Sequence, residues 1–87
     1  MELFSIQWRN STKKDIRSLP RQEVACVVEA VGELAKDPLP HGSHKLAGSE
    51  RTYRLRVGDY RVVYEVFSDA RIVELQRVRH RKAVYRE

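Results

Sequence analysis

This chain of 87 residues predicts an α+β domain of two layers, in the order βααβββ, with a largely antiparallel four-stranded sheet and both helices on one face. Three observations predict it. Residues 21–36 repeat apolar side chains at the spacing of one helical stripe. Residues 53–66, YRLRVGDYRVVYEV, alternate about a Gly58-Asp59 turn as a β-hairpin does. The length and a hydrophobic content of 41% suffice for one small core and no second domain, so residues 1–87 form a single unit.

The elements follow in order. Residues 2–8, ELFSIQW, set Leu3, Ile6 and Trp8 against Ser5 and Gln7 and read as a first strand. Asn10 and Ser11 then offer side-chain oxygens able to cap a helix that ends near Leu19-Pro20. That helix carries Lys13, Lys14 and Arg17, with Ile16 as its main buried candidate, so docking must hold it. From Arg21 to Lys36 the stripe is Val24, Val27, Val28, Val31, Leu34 and Ala35, and it stops at Asp37-Pro38. Valine is a poor helix former, which implies packing on a sheet. Cys26 lies among these valines and is expected to pack; a single cysteine permits no internal disulfide.

Residues 38–51, with Pro38, Pro40, Gly42 and Gly48, read as a loop. His41 and His44 lie within it without a cysteine or carboxylate cluster, the pattern of exposed loop histidines rather than of a zinc site. Neither a metal nor a cofactor is expected.

In the hairpin a two-residue turn sets the register. Val57 faces Tyr60, Leu55 faces Val62 and Tyr53 faces Tyr64 on one side; Arg56 faces Arg61 and Arg54 faces Val63 on the other. Like charges directly across a strand pair are destabilising, so stability does not explain three arginines on one face, whereas a bound polyanion such as RNA phosphate does. A last strand, Arg71 to Arg79, follows a turn near Ser68-Asp69-Ala70. Letting Phe67 face Ile72 puts Val66 opposite Val73 and Tyr64 opposite Leu75. Strict alternation then sends Ile72, Glu74, Gln76, Val78 and His80 to the arginine face, with His80 projecting toward Arg61.

The net charge of +5 suits a nucleic acid or an acidic protein partner. No signal peptide, membrane-spanning run, repeat or low-complexity segment is visible, which predicts a cytoplasmic protein that binds no membrane.

The element order, the Lys45-Leu46-x-Gly48 approach, the YRLRVGDYRVVYEV hairpin and the RVRHRKAVYR tail together resemble the RelE family of toxins, over nearly the whole chain. The resemblance implies a ribosome-dependent messenger-RNA endonuclease that cuts in the ribosomal A site and is encoded beside a RelB-like antitoxin. Operator DNA would be reached only through that antitoxin, because nothing in this chain resembles a helix-turn-helix. Basic hairpin residues that contact phosphate in the family fall here on Arg54, Arg56 and Arg61; a basic residue and a tyrosine of the family's tail fall on Arg81 and Tyr85. Several relatives use a tail histidine, and His80 holds a comparable place. Some relatives carry lysines where this chain has Arg54 and Arg56, and arginine, which keeps its charge at neutral pH, is a poor general base.

A metal-independent ribonuclease uses the 2′-hydroxyl of RNA as nucleophile, leaving a 2′,3′-cyclic phosphate and a 5′-hydroxyl. Arg56 and Arg61 would then bind phosphate oxygens as charge builds, with Arg54 extending the clamp. His80, as an imidazole, is assigned the general acid or base. Arg81 would neutralise the leaving oxygen, and Tyr85 would orient the nucleotide. Lys13, Lys14, Arg17 and Arg21, with Lys45, form a second basic set for ribosomal RNA. Two other readings use the same fold: a ParE-type inhibitor of DNA gyrase, and a toxin-like binding module without catalysis.

Overall fold

Helix α2, Arg21–Lys36, contains four valines, each about 0.5 kcal/mol worse than alanine in a helix. Val27, Val31 and Leu34 are nevertheless buried against the sheet, and each such burial returns about 1.5–3 kcal/mol. Packing wins, and the helix keeps the limits its stripe implies. The computed structural model describes residues 3–80; Arg81 and Tyr85 lie outside the described residues.

The other elements are β1 (Ser5–Trp8), α1 (Asn10–Arg17), β2 (Ser43–Lys45), β3 (Thr52–Val57), β4 (Tyr60–Phe67) and β5 (Ile72–His80). They form a sheet of five strands in the order β1-β5-β4-β3-β2, not four. Only β1 runs parallel to its neighbour, β5, and it lies at an edge. The added strand is β2, inside the segment read as a loop, where Ser43 pairs with Leu55, His44 with Arg54 and Lys45 with Tyr53. Three residues without apolar alternation carry no strand signal. Gly42, at φ +98, makes the turn that launches them, with the Ser43 N–H donating to the Pro40 carbonyl at 3.0 Å.

The core lies between α2 and one sheet face, where Tyr60, Val62, Tyr64 and Val66 of β4 alternate inward with Val73, Leu75 and Val78 of β5. The Tyr64 hydroxyl donates to the Pro38 carbonyl at 2.8 Å. Burial pushes its pKa up from 10.0 to about 12.

One irregularity decides the rest. Tyr64 pairs with Leu75 but Val63 pairs with Arg77, so Gln76 is an extra residue, a β-bulge. Past it, every β5 side chain changes face. Val78 is therefore buried, Arg77 and Arg79 move to the open face, and His80 stands opposite Tyr60 on the core side. This corrects the strict alternation, which sent Val78 and His80 to the arginines.

Helix α1 covers the β5 edge where β1 ends. Its Thr12 hydroxyl donates to the Leu75 carbonyl at 2.6 Å, Ser11 donates to the Gln76 carbonyl at 3.0 Å, and the Val78 N–H donates to Asp15 Oδ2 at 2.9 Å. Two expectations change as a result. Ser11 serves the strand rather than a helix cap, and the fully buried α1 residue is Thr12, while Ile16 is half-buried. Cys26, expected to pack, is exposed, because it falls outside the Val27–Val31–Leu34 stripe.

Candidate functional site

The hairpin forms in the register that alternation implies, with Arg56 opposite Arg61 and Arg54 opposite Val63. Gly58, at φ +60, opens its turn, and Arg56 Nε donates to the Gly58 carbonyl at 3.1 Å, which steadies one guanidinium against the turn. Beyond β4 the bulge brings Arg79 opposite Arg61. Arg56, Arg61 and Arg79 thus form one row across three adjacent strands of the open face. Cross-strand neighbours lie about 4.5–5.5 Å apart at Cβ, close enough for like charges to repel and for one phosphate to meet two guanidinium groups.

A second row runs beside it: His44 on β2, Arg54 on β3, Val63 on β4 and Arg77 on β5. Arg77 is turned to the sheet edge, where its Nε lies 3.1 Å from Asp15 Oδ2 and its Nη2 donates to Asp15 Oδ1 at 3.2 Å. A cleft of about 350 Å³ opens between the rows, lined by Gly42, His44, Arg54, Arg56 and Arg61. No carboxylate is among these five.

Farther along the same face the chemistry reverses. Glu65 and Glu74 are cross-strand partners, and the bulge residue lies between them, its Gln76 Nε2 donating to Glu65 Oε1 at 2.7 Å and to Glu74 Oε1 at 2.9 Å. Arg9 in turn donates to Gln76 Oε1. The bulge therefore reconciles two facing carboxylates on one side and re-aims an arginine on the other.

Of the residues singled out in the sequence, Arg54, Arg56 and Arg61 converge. His80 does not join them: its ring meets Tyr60 edge-on, with centroids 5.3 Å apart, on the opposite side of β5. Arg81 and Tyr85 fall outside the described residues. Lys13, Lys14, Arg17 and Arg21 are exposed on the helices, and Lys13 and Arg17 border an apolar groove with Trp8, Ile16 and Val28. Lys45 is exposed at the β2 edge, opposite Tyr53 and hence on the other face from the arginines. Among the described residues, no three His, Cys, Asp or Glu side chains cluster as metal ligands, and no helix is long and apolar enough to cross a membrane.

Two site residues were missed. Arg79 had a signal: Val73, Leu75 and Val78 are spaced two and then three apart, so an apolar Val78 among arginines marks the place where alternation slips. His44 had none, since β2 exists only by pairing with β3.

Known proteins share this fold. A family model described as the ParE toxin of a type II toxin-antitoxin system matches residues 6–85. Toxin RelG of Mycobacterium tuberculosis is 33% identical over 87 residues, covering 95% of this chain and 97% of that protein. The RelBE2 toxin-antitoxin complex of the same organism superposes with a TM-score of 0.80 at 29% identity, over 90% of this chain and 98% of that one. The archaeal RelE–RelB complex of Pyrococcus horikoshii gives 0.81 at 26% identity, over 91% and 96%. With a family match over almost its full length, and a curated toxin this similar, the chain belongs to the RelE/ParE superfamily of type II toxin-antitoxin toxins.

Proposed function

We propose that the chain arrests translation as a ribosome-dependent endonuclease, cutting messenger RNA in the ribosomal A site. The row Arg56, Arg61 and Arg79 carries this reading. Guanidinium groups opposed across strands bind the oxygens of a phosphate bidentately, and their contribution grows as the phosphorane gains charge. Arg54 extends the clamp along the bound strand. The nucleophile is the RNA's own 2′-hydroxyl, which attacks the adjacent phosphorus and yields a 2′,3′-cyclic phosphate and a 5′-hydroxyl end; such a reaction calls for no cofactor. By family resemblance, Arg81 neutralises the leaving oxygen and Tyr85 orients the nucleotide. Phosphate contacts position a substrate without identifying bases, so the ribosome supplies the choice of site.

The partner that silences this activity is an acidic RelB-like antitoxin. Relatives form complexes with RelB, and a chain of net charge +5 with a guanidinium row on its open face attracts an acidic segment that folds as it binds. Protein of this kind acts where ribosomes are, in the cytoplasm.

The test adds purified protein to a translating extract and maps messenger 5′ ends by primer extension. Parent protein is expected to produce A-site cuts. Arg61→Ala should slow them by about 10²–10³-fold while the variant stays folded, because Arg61 is not part of the buried core. A second reading, gyrase inhibition, is favoured by the ParE description of the matching family model. Intact message together with inhibition of gyrase supercoiling would select it.

A further inference from the structure

We propose that His44 is the general base of this site, an assignment that rests on the ribonuclease reading. Of the five described residues lining the cleft, three are arginines and one is glycine. Guanidinium stays charged at neutral pH and cannot accept a proton, whereas a neutral imidazole carries a ring nitrogen that can. Among the described lining residues, His44 is therefore the one whose side chain offers a nitrogen that can accept a proton. The backbone delivers it there. Gly42, in a left-handed turn, starts β2, and pairing places His44 directly opposite Arg54, on the face that carries Arg56 and Arg61.

The cation environment suits the assignment. Arg54 faces His44 across the strand pair, Arg56 and Arg61 share its cleft, and Arg77, farther along its row, is held by Asp15. A phosphate held between Arg56 and Arg61 would occupy the cleft that the imidazole also lines. The step balances as follows. His44 takes the proton of the 2′-hydroxyl, the O2′–P bond forms and the P–O5′ bond breaks. The departing 5′ oxygen takes a proton from water, and the resulting hydroxide neutralises the imidazolium. Edge strand β2 leaves the histidine exposed, so no rearrangement of the core is needed for RNA to reach it.

The experiment compares parent, His44→Ala and Arg61→Ala proteins on programmed ribosomes, with single-turnover cleavage rates read across pH and ribosome binding measured separately. Expected for His44→Ala is a rate about 10²–10⁴-fold lower, ribosome affinity within about twofold of the parent, loss of the rising limb of the pH profile, and partial recovery on adding free imidazole. A parent-like rate and pH profile in His44→Ala would overturn the assignment while leaving the nuclease standing. So would a loss of cleavage that merely tracks weaker ribosome binding and ignores imidazole. Failure of the parent itself to cut any message would instead remove the ribonuclease reading, and the base with it.

Discussion

Tyr64 concentrates in one side chain what burial does to a polar group. It is fully buried, so its hydroxyl needs a protein acceptor and finds one in the Pro38 carbonyl. Burial disfavours the phenolate and raises the pKa from 10.0 to about 12. The sign of the effect follows. Above pH 10 the unfolded chain releases this proton before the folded one does, so stability, complete below that pH, falls as pH climbs toward 12, by up to about 2–3 kcal/mol. Tyr64→Phe is expected to cost about 1 kcal/mol at neutral pH and to flatten the alkaline loss; denaturant titrations at pH 8 and pH 11 measure both. Arg56, Arg61 and Arg79 show the opposite balance. Their like charges stand close enough across the strands to repel one another, and a bound anion offsets that repulsion.

Strand β5 adds Arg79 to the arginine row, and it does so through one extra residue. Gln76 bridges Glu65 and Glu74, and beyond it Arg79 faces outward while Val78 enters the core. Helix α1 stabilises the same stretch. Asp15 accepts the Val78 N–H and pairs with Arg77, with its own side chain only 14% exposed. Asp15→Ala leaves an N–H and a guanidinium without that acceptor and is expected to destabilise by about 2–3 kcal/mol, seen as a lower urea midpoint. Asp15→Asn, which keeps an acceptor, should recover part of it. Much of this architecture was legible: the limits of α2, the whole β3–β4 register and the first half of the β4–β5 register follow from periods of 3.6 and 2 and from a turn opening on Gly58. What was illegible lies where period fails. A bulge adds one residue without changing composition, and β2 is too short and too polar to alternate.

Across the molecule the two basic sets sit on different layers. Arginines of the open face hold the substrate in the proposed reading, and Lys13, Lys14, Arg17 and Arg21 project from the helices. If the helix set rests on ribosomal RNA, neutralising these four should weaken ribosome association and reduce its log–log salt slope by about 0.7–0.9 for each phosphate that the variant no longer neutralises. Arg61→Ala, by contrast, should act mainly on the cleavage rate. Sedimentation with ribosomes over a range of salt measures the slope.

By itself, the sequence determined the two-layer α+β class, the helix that seals the core, and the three hairpin arginines, because each is written in local periodicity and turn chemistry. Tertiary structure alone decided that β2 exists, that β5 slips by one residue at Gln76, and therefore that His44 and Arg79, not His80, stand with those arginines. The reason is physical. Which face a side chain takes depends on the hydrogen-bonded partner strand, and pairing between distant segments leaves no period in either one.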